Sequence, residues 1–269
     1  MRVHVALTPA DASGLALDGW AAVVVDVMRA TTTVVAACAA GCTQVIPVAD
    51  VDAARSRAQQ FSDGEVLLAG ERGGEPIAGF HLGNSPLEYT RERVSGRTVV
   101  LTTTNGTAAM LTAGAAAVAA VAALTNVTAV SQWVHAHGRN LAILCSGDNG
   151  AFSLEDTVCA GLLVASVATD SAASLSDGAE AALGIGRYYA DRLGDLEFAS
   201  RWARRLTTLG HAADVEACLR RDVTRMVPVV ERGAIIPDSG VVRPASSAGR
   251  AYDGTRGARA VSGTGDPER

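Results

Sequence analysis

Short β-branched runs alternate with longer alanine-rich stretches through much of this chain, and that alternation limits its fold more than any other feature. The runs fall at residues 3–7, 21–25, 44–48, 65–69, 97–102, 118–121 and 141–145. Several are apolar at every position, as suits a strand covered by helices on both faces. Helix candidates lie between them at 31–40, 51–61, 105–113 and 127–137, with Gly41 placed as a C-cap and Asp50 as an N-cap. Strand–helix–strand repeats at this spacing call for right-handed crossovers, so the pattern predicts an α/β fold on a mainly parallel sheet. From Ser153 to about Arg225 apolar residues recur at helical spacing. This predicts a helical C-terminal part, followed by a turn at Pro228 and a short strand at 233–236.

No polar linker divides the 269 residues, so 1–245 read as a single domain. Residues 246–269 are rich in glycine, serine and arginine, bury too little to order themselves, and read as a flexible tail. Aromatic residues make up 4% and the net charge is -5, which argues against nucleic acid as a partner. Every basic side chain besides histidine is arginine. The absence of lysine excludes a Schiff-base lysine, a pyridoxal phosphate anchor and a Walker A loop. Five cysteines without a C-x-x-C pair read as reduced thiols. No signal peptide is evident before the first strand, and the apolar run 113–124 is too short to span a bilayer. A cytoplasmic protein without a membrane partner is the expectation.

Ligands of open α/β sheets bind beyond the carboxyl ends of the strands. Four polar clusters fall there or in a long connection. After 23–25 come Asp26, Arg29, Thr31 and Thr32. The carboxylate suits a divalent cation, while the arginine and free helix N–H groups suit a phosphate. A plain turn with a threonine cap explains the same residues. After 99–101 come Thr103, Thr104, Asn105, Gly106 and Thr107, a hydroxyl-rich helix start able to donate to an anion. After 143–144 come Ser146 and Gly147, then Glu155 and Asp156 in the first turn of a helix, where they also complement its dipole. The connection 70–86 carries Glu71, Arg72, Asn84 and Ser85, which read as a metal ligand, an anion ligand and a polar turn, or as a surface ion pair and nothing more. His135 and His137 end a predicted helix, which favours dipole contacts over zinc ligation. Gly184 and Gly186 follow no strand, so a dinucleotide fingerprint is unsupported.

Taken in order, VVVDVMRATTT, LLAGERGG, GFHLGNSPLEY, TVVLTTTNGT and CSGDNGAFSLED resemble the 2-phosphosulfolactate phosphatase family. The resemblance runs to about Pro228, where Gly210, His211, Asp214 and Asp222 also look like family positions. It implies a three-layer α/β/α fold, a homo-oligomer such as a dimer, and a Mg²⁺-dependent phosphatase that converts phosphosulfolactate to sulfolactate on the way to coenzyme M. On that reading Asp26, Glu71 and Asp156 are candidate Mg²⁺ ligands, with Glu155 as a second choice. Arg29, Arg72 and the 103–107 helix start would hold the phosphoryl oxygens. Ser146 and Gly147, with Asn84 and Ser85, would receive the second anionic end. The nucleophile is a metal-activated water or Asp26 itself. The haloacid-dehalogenase scheme fits poorly, because Met28 stands two residues after Asp26 and there is no lysine. Two other readings stay open: a phosphatase for another sugar or hydroxyacid phosphate, and a non-catalytic small-anion binder.

Overall fold

Alanine and valine at 21–25 are buried at every position, because the strand they form lies in the middle layer of three. The computed structural model describes residues 1–168 and 173–238. The expected tail and the boundary at 245 lie outside them. The strands are β1 (Arg2–Ala6), β2 (Ala21–Val25), β3 (Gln44–Pro47), β4 (Val66–Arg72), β5 (Glu75–Pro76), β6 (Thr98–Thr102), β7 (Val118–Ala122), β8 (Leu141–Cys145), β9 (Ser174–Leu175), β10 (Pro228–Glu231) and β11 (Ala234–Pro237). The helices are α1 (Pro9–Ala12), α2 (Ala30–Ala39), α3 (Val51–Ala58), α4 (Arg91–Val94), α5 (Gly106–Ala113), α6 (Val127–His137), α7 (Leu154–Val167), α8 (Asp177–Tyr189), α9 (Leu196–Ala199), α10 (Arg201–Thr208) and α11 (Ala212–Leu219).

Alternation within β2 separates two cores. Val23 and Val25 face α6, α7 and the helices that follow, whereas Ala22 and Val24 face α2 and α5. A smaller cluster of Ile46, Ala54 and Val100 seats α3. Burying a valine side chain contributes about 1.5–3 kcal/mol, so β2 gains on both faces at once. This is the expected three-layer α/β/α arrangement. Within the sandwich α7 and α8 cross closely, and a Cβ on Gly186 would stand 2.6 Å from the Gly161 carbonyl carbon. That glycine serves helix packing.

The sheet order is β5-β4-β6-β3-β11-β10-β7-β2-β8-β1-β9. β2 pairs in parallel with β7 and β8, and β6 pairs in parallel with β3 and β4. The exception in the middle is the β10–β11 hairpin, antiparallel to β7 on one side and to β3 on the other. Pro228, expected to mark a turn, begins β10 instead. A proline is tolerated at the first position of a strand, where no ladder N–H is needed. The hairpin is the sheet's link between two halves, β5-β4-β6-β3 and β7-β2-β8-β1-β9.

Register aligns the strand ends. Val25 lies beside Ala122 and Cys145, and Gly70 beside Thr102, so within each half the loops that follow leave from a shared edge. The hairpin is antiparallel to β7 and to β3, so the two halves run in opposite directions. Five strands separate β4 from β2. At about 4.8 Å per strand a flat sheet would hold the two strands about 29 Å apart, with their carboxyl ends at opposite edges. Their side chains nevertheless share one cavity, so the sheet curls strongly between them.

Candidate active site

Asp26 follows β2 directly and is 6% exposed. Its Oδ1 accepts the Ala30 N–H at 3.3 Å. Its Oδ2 lies against the first residue of α5, where a Cβ on Gly106 would stand 2.6 Å away. Glycine is required at 106 because any side chain would displace the carboxylate. Glu71, near the end of β4, accepts from Thr104 N–H at 2.7 Å through Oε1 and from Gly74 N–H at 2.8 Å through Oε2. Arg29 is 4% exposed; its guanidinium donates to Asp214 Oδ2 at 2.6 Å and to the Gly74 carbonyl. Two of its N–H groups are used in this way, and a guanidinium carries five. Ser85 donates to the other oxygen of Asp214.

Asp26, Arg29, Glu71, Asn84, Thr103 and Asn105, together with Met28 and Trp202, line one cavity of about 10 Å³. That is room for a single water- or ion-sized guest. Asn84 is buried and its Oδ1 has no hydrogen-bond partner. Electrostatics follow from crowding acids where water is scarce. Burial pushes the Asp26 carboxyl up to about 7; the Glu71 and Glu155 charges add to this, and the Ala30 N–H and Arg29 charge oppose it.

Other expected site residues are placed differently. The Thr31 hydroxyl accepts Asp26 N–H and donates to the Asp26 carbonyl, and the Thr32 hydroxyl donates to the Val27 carbonyl. Both hydroxyls brace the loop that aims Asp26. Arg72 is exposed, donates to the Thr102 hydroxyl and the Glu71 carbonyl, and lies outside the cavity lining. Side chains alternate along a strand, so when Glu71 faces inward its neighbour turns out. Thr107 closes the helix start by donating its N–H to the Thr103 hydroxyl. The four acids do not form one ligand set. Among the described residues no three His, Cys, Asp or Glu side chains are grouped to hold a metal. Asp156 accepts Val27 N–H at 2.8 Å and Gly147 N–H at 3.2 Å, tying the loop after β2 to the loop after β8. Burial holds its carboxyl well above the usual range, and the Asp26 charge adds to this. Glu155, also raised mainly by burial, turns to the Ser200 and Ser153 hydroxyls. The Ser146 hydroxyl is buried without a partner, outside the cavity lining.

Asp214 and Trp202 complete the site from the helical part. Asp214 is among the positions that resemble the family, where it carries no assigned role, whereas Trp202 leaves only a weak signal as one of three tryptophans. His135 and His137 contact the backbone carbonyls of Ser166 and Trp133, in keeping with a helix end. All five cysteines are buried and free.

Fold and site together define an α/β protein with an acid- and arginine-lined pocket between the carboxyl ends of strands from both halves of a mainly parallel sheet. The family model for 2-phosphosulpholactate phosphatase matches residues 6–233. A protein of Symbiobacterium thermophilum is 39% identical over 221 residues, covering 82% of this chain and 95% of its own length. One of Thermotoga maritima is 38% identical over 215 residues, with 80% and 91% covered. One of Clostridium acetobutylicum is 30% identical over 237 residues, with 88% and 100% covered. Each bears the name probable 2-phosphosulfolactate phosphatase. The chain belongs to the 2-phosphosulfolactate phosphatase family. No helix among the described residues is long and apolar enough to cross a membrane.

Proposed function

We propose that this chain hydrolyses a small phosphorylated hydroxyacid, 2-phosphosulfolactate or a close analogue, with Mg²⁺ as its cofactor. The observation that carries the proposal is the sharing of one ion-sized cavity by two carboxylates, a guanidinium and an unpartnered amide oxygen. The donor set fits Mg²⁺, a hard cation that takes oxygen ligands, is commonly held by one or two carboxylates, and completes its shell with waters and substrate. Asp26 and Glu71 would hold it. Bound there, Mg²⁺ would supply positive charge to the phosphoryl oxygens while negative charge shifts among them.

The chain's own residues do the rest. Arg29, locked by Asp214 and the Gly74 carbonyl, offers its remaining N–H groups to the phosphoryl oxygens in a fixed orientation. Asp156 holds the Val27 and Gly147 amides and so keeps the two loops at a constant separation. In the overall reaction water adds to phosphorus and the bond to the hydroxyacid oxygen breaks. That oxygen leaves with a proton, and phosphate leaves as the second product. The test is phosphate release from 2-phosphosulfolactate by metal-stripped protein, with and without Mg²⁺. Release is expected only when Mg²⁺ is added. A folded protein that releases none with Mg²⁺, or releases equally in chelator, refutes the proposal.

A further inference from the structure

His211 stands between two parts of the site, and the reaction as described leaves it without a purpose. It is the N-cap residue of α11, yet its side chain makes no cap hydrogen bond. The main chain places it instead. Its N–H donates to the Leu206 carbonyl at 2.9 Å, and its carbonyl accepts the Asp214 N–H at 3.1 Å. The ring held at this turn faces two carboxylates: Nδ1 lies 3.7 Å from Asp214 Oδ2, and Nε2 lies 3.9 Å from Glu75 Oε1. Both distances are too long for a hydrogen bond but close enough for charge and dipole to act. Nε2 is buried without a hydrogen-bond partner. Buried polar atoms are rarely left so, which makes the Glu75 carboxylate facing it significant. Each carboxylate leads to a working group of the cavity. Asp214 accepts from Arg29 through Oδ2 and from Ser85 through Oδ1. Glu75 pairs with Arg72 in the β4–β5 hairpin, which also carries Glu71. Gly74 closes the circuit, donating its N–H to Glu71 and accepting from Arg29 at its carbonyl.

We propose that His211 is a positioning residue, which clamps the Glu71 hairpin and the Arg29–Asp214 pair together from the turn between α10 and α11. Its effect on rate rests on the phosphatase reading; the clamp itself does not. The two arms are unequal. Asp214 is 5% exposed and Glu75 is 57% exposed, and charges attract more strongly where water is excluded. The Asp214 arm therefore carries most of the effect. Without it Asp214 gains freedom to turn, and the guanidinium of Arg29 turns with it. A donor aimed at charge that develops in a transition state loses most from such misalignment, so the loss falls on kcat.

The test uses three variants of the full chain. The amide nitrogen of asparagine falls near Nδ1 of histidine, and that of glutamine near Nε2. His211→Asn thus keeps the donor toward Asp214, His211→Gln keeps the one toward Glu75, and His211→Ala keeps neither. Phosphate release from 2-phosphosulfolactate in Mg²⁺ is measured for each, with Tm as the control for folding. His211→Ala should lower kcat about tenfold while KM and Tm stay close to wild type. His211→Asn should recover most of the loss and His211→Gln less. A kcat close to wild type in His211→Ala, a change in KM alone, or equal recovery by asparagine and glutamine overturns the proposal. Should His211→Ala not fold, the asparagine–glutamine comparison decides. A wild type that releases no phosphate counts against the phosphatase reading instead, and hydrogen exchange at residues 71–76 then decides the clamp. Faster exchange in His211→Ala at unchanged Tm supports it, and exchange equal to wild type overturns it. Where alanine does not fold, asparagine, which lacks the arm to Glu75, takes its place.

Discussion

Replacing Asp26 by asparagine should stabilise the metal-free protein, and the gain should grow with pH. The Asp26 carboxyl is raised from 3.8 to about 7, with burial as the largest cause. Between those values the folded state binds more protons than the unfolded state, so this group lowers stability as pH rises through the window and costs nothing further above it. At 1.36 kcal/mol per pH unit the raised pKa removes about 4 kcal/mol by pH 8 and about 2 kcal/mol by pH 5, relative to acid. Asparagine has nearly the same shape, can still accept the Ala30 N–H, and does not titrate. Urea unfolding of both proteins in chelator should therefore show an advantage for Asp26→Asn that widens by about 2–3 kcal/mol from pH 5 to pH 8. Adding Mg²⁺ at pH 8 should stabilise wild type and leave the variant unchanged. An advantage that stays constant with pH, or a variant less stable than wild type at pH 8, would refute the claim that a buried carboxylate is held here against its own solvation.

Four further outcomes follow from the same geometry. Arg29→Met leaves Asp214 buried without its counter-charge and should cost about 3–5 kcal/mol in denaturant unfolding, whereas a loss below about 1 kcal/mol would show the pair to be well solvated. Gly106→Ala adds a methyl that would press on Asp26 and Ala30, so a falling Tm together with loss of phosphate release is expected. Asp156→Asn turns one amide acceptor into a donor facing an N–H and should cost about 1–3 kcal/mol, with faster hydrogen exchange at Val27 and Gly147 as the local readout. The cysteines, all buried, with Cys145, Cys159 and Cys218 pushed to high pKa mainly by burial, should resist a thiol reagent at pH 8 until the protein unfolds.

The parts legible in the sequence were those set by local rules. β2, β8 and α6 occupy the residues expected, because an unbroken apolar run or a helical period with a glycine stop depends on little else. The rule that ligands gather beyond strand ends singled out Asp26, the long connection after β4 singled out Glu71, and the structure seats both on one cavity. Hydroxyl direction was not legible. Thr31 and Thr32 look like ligands for an anion, but a threonine beside a turn binds the nearest backbone group first. Long-range pairing was equally hidden: the resemblance named both Arg29 and Asp214, but nothing around either residue shows that they join across 185 residues. The place of β10 and β11 could not be read either. Their residues carry no sign of which strands they pair with, and the structure sets them in the middle of the sheet.

That insertion has a consequence for how the protein comes into being. Glu71 lies near the end of a strand of one half-sheet and Thr103 follows another, while Asp26 follows a strand of the other half, and the hairpin joining the halves spans residues 228–237. A nascent chain that has reached residue 227 holds every residue of the cavity, yet β3 and β7 still present raw edges, open to each other or to neighbouring chains. The helices α2 and α5 touch strands of both halves, so they hold the halves in one layer while the hairpin closes the sheet between them. A chain that stops before residue 228 is therefore expected to keep the pocket's side chains but to expose two unpaired strands, which makes aggregation its foreseeable failure.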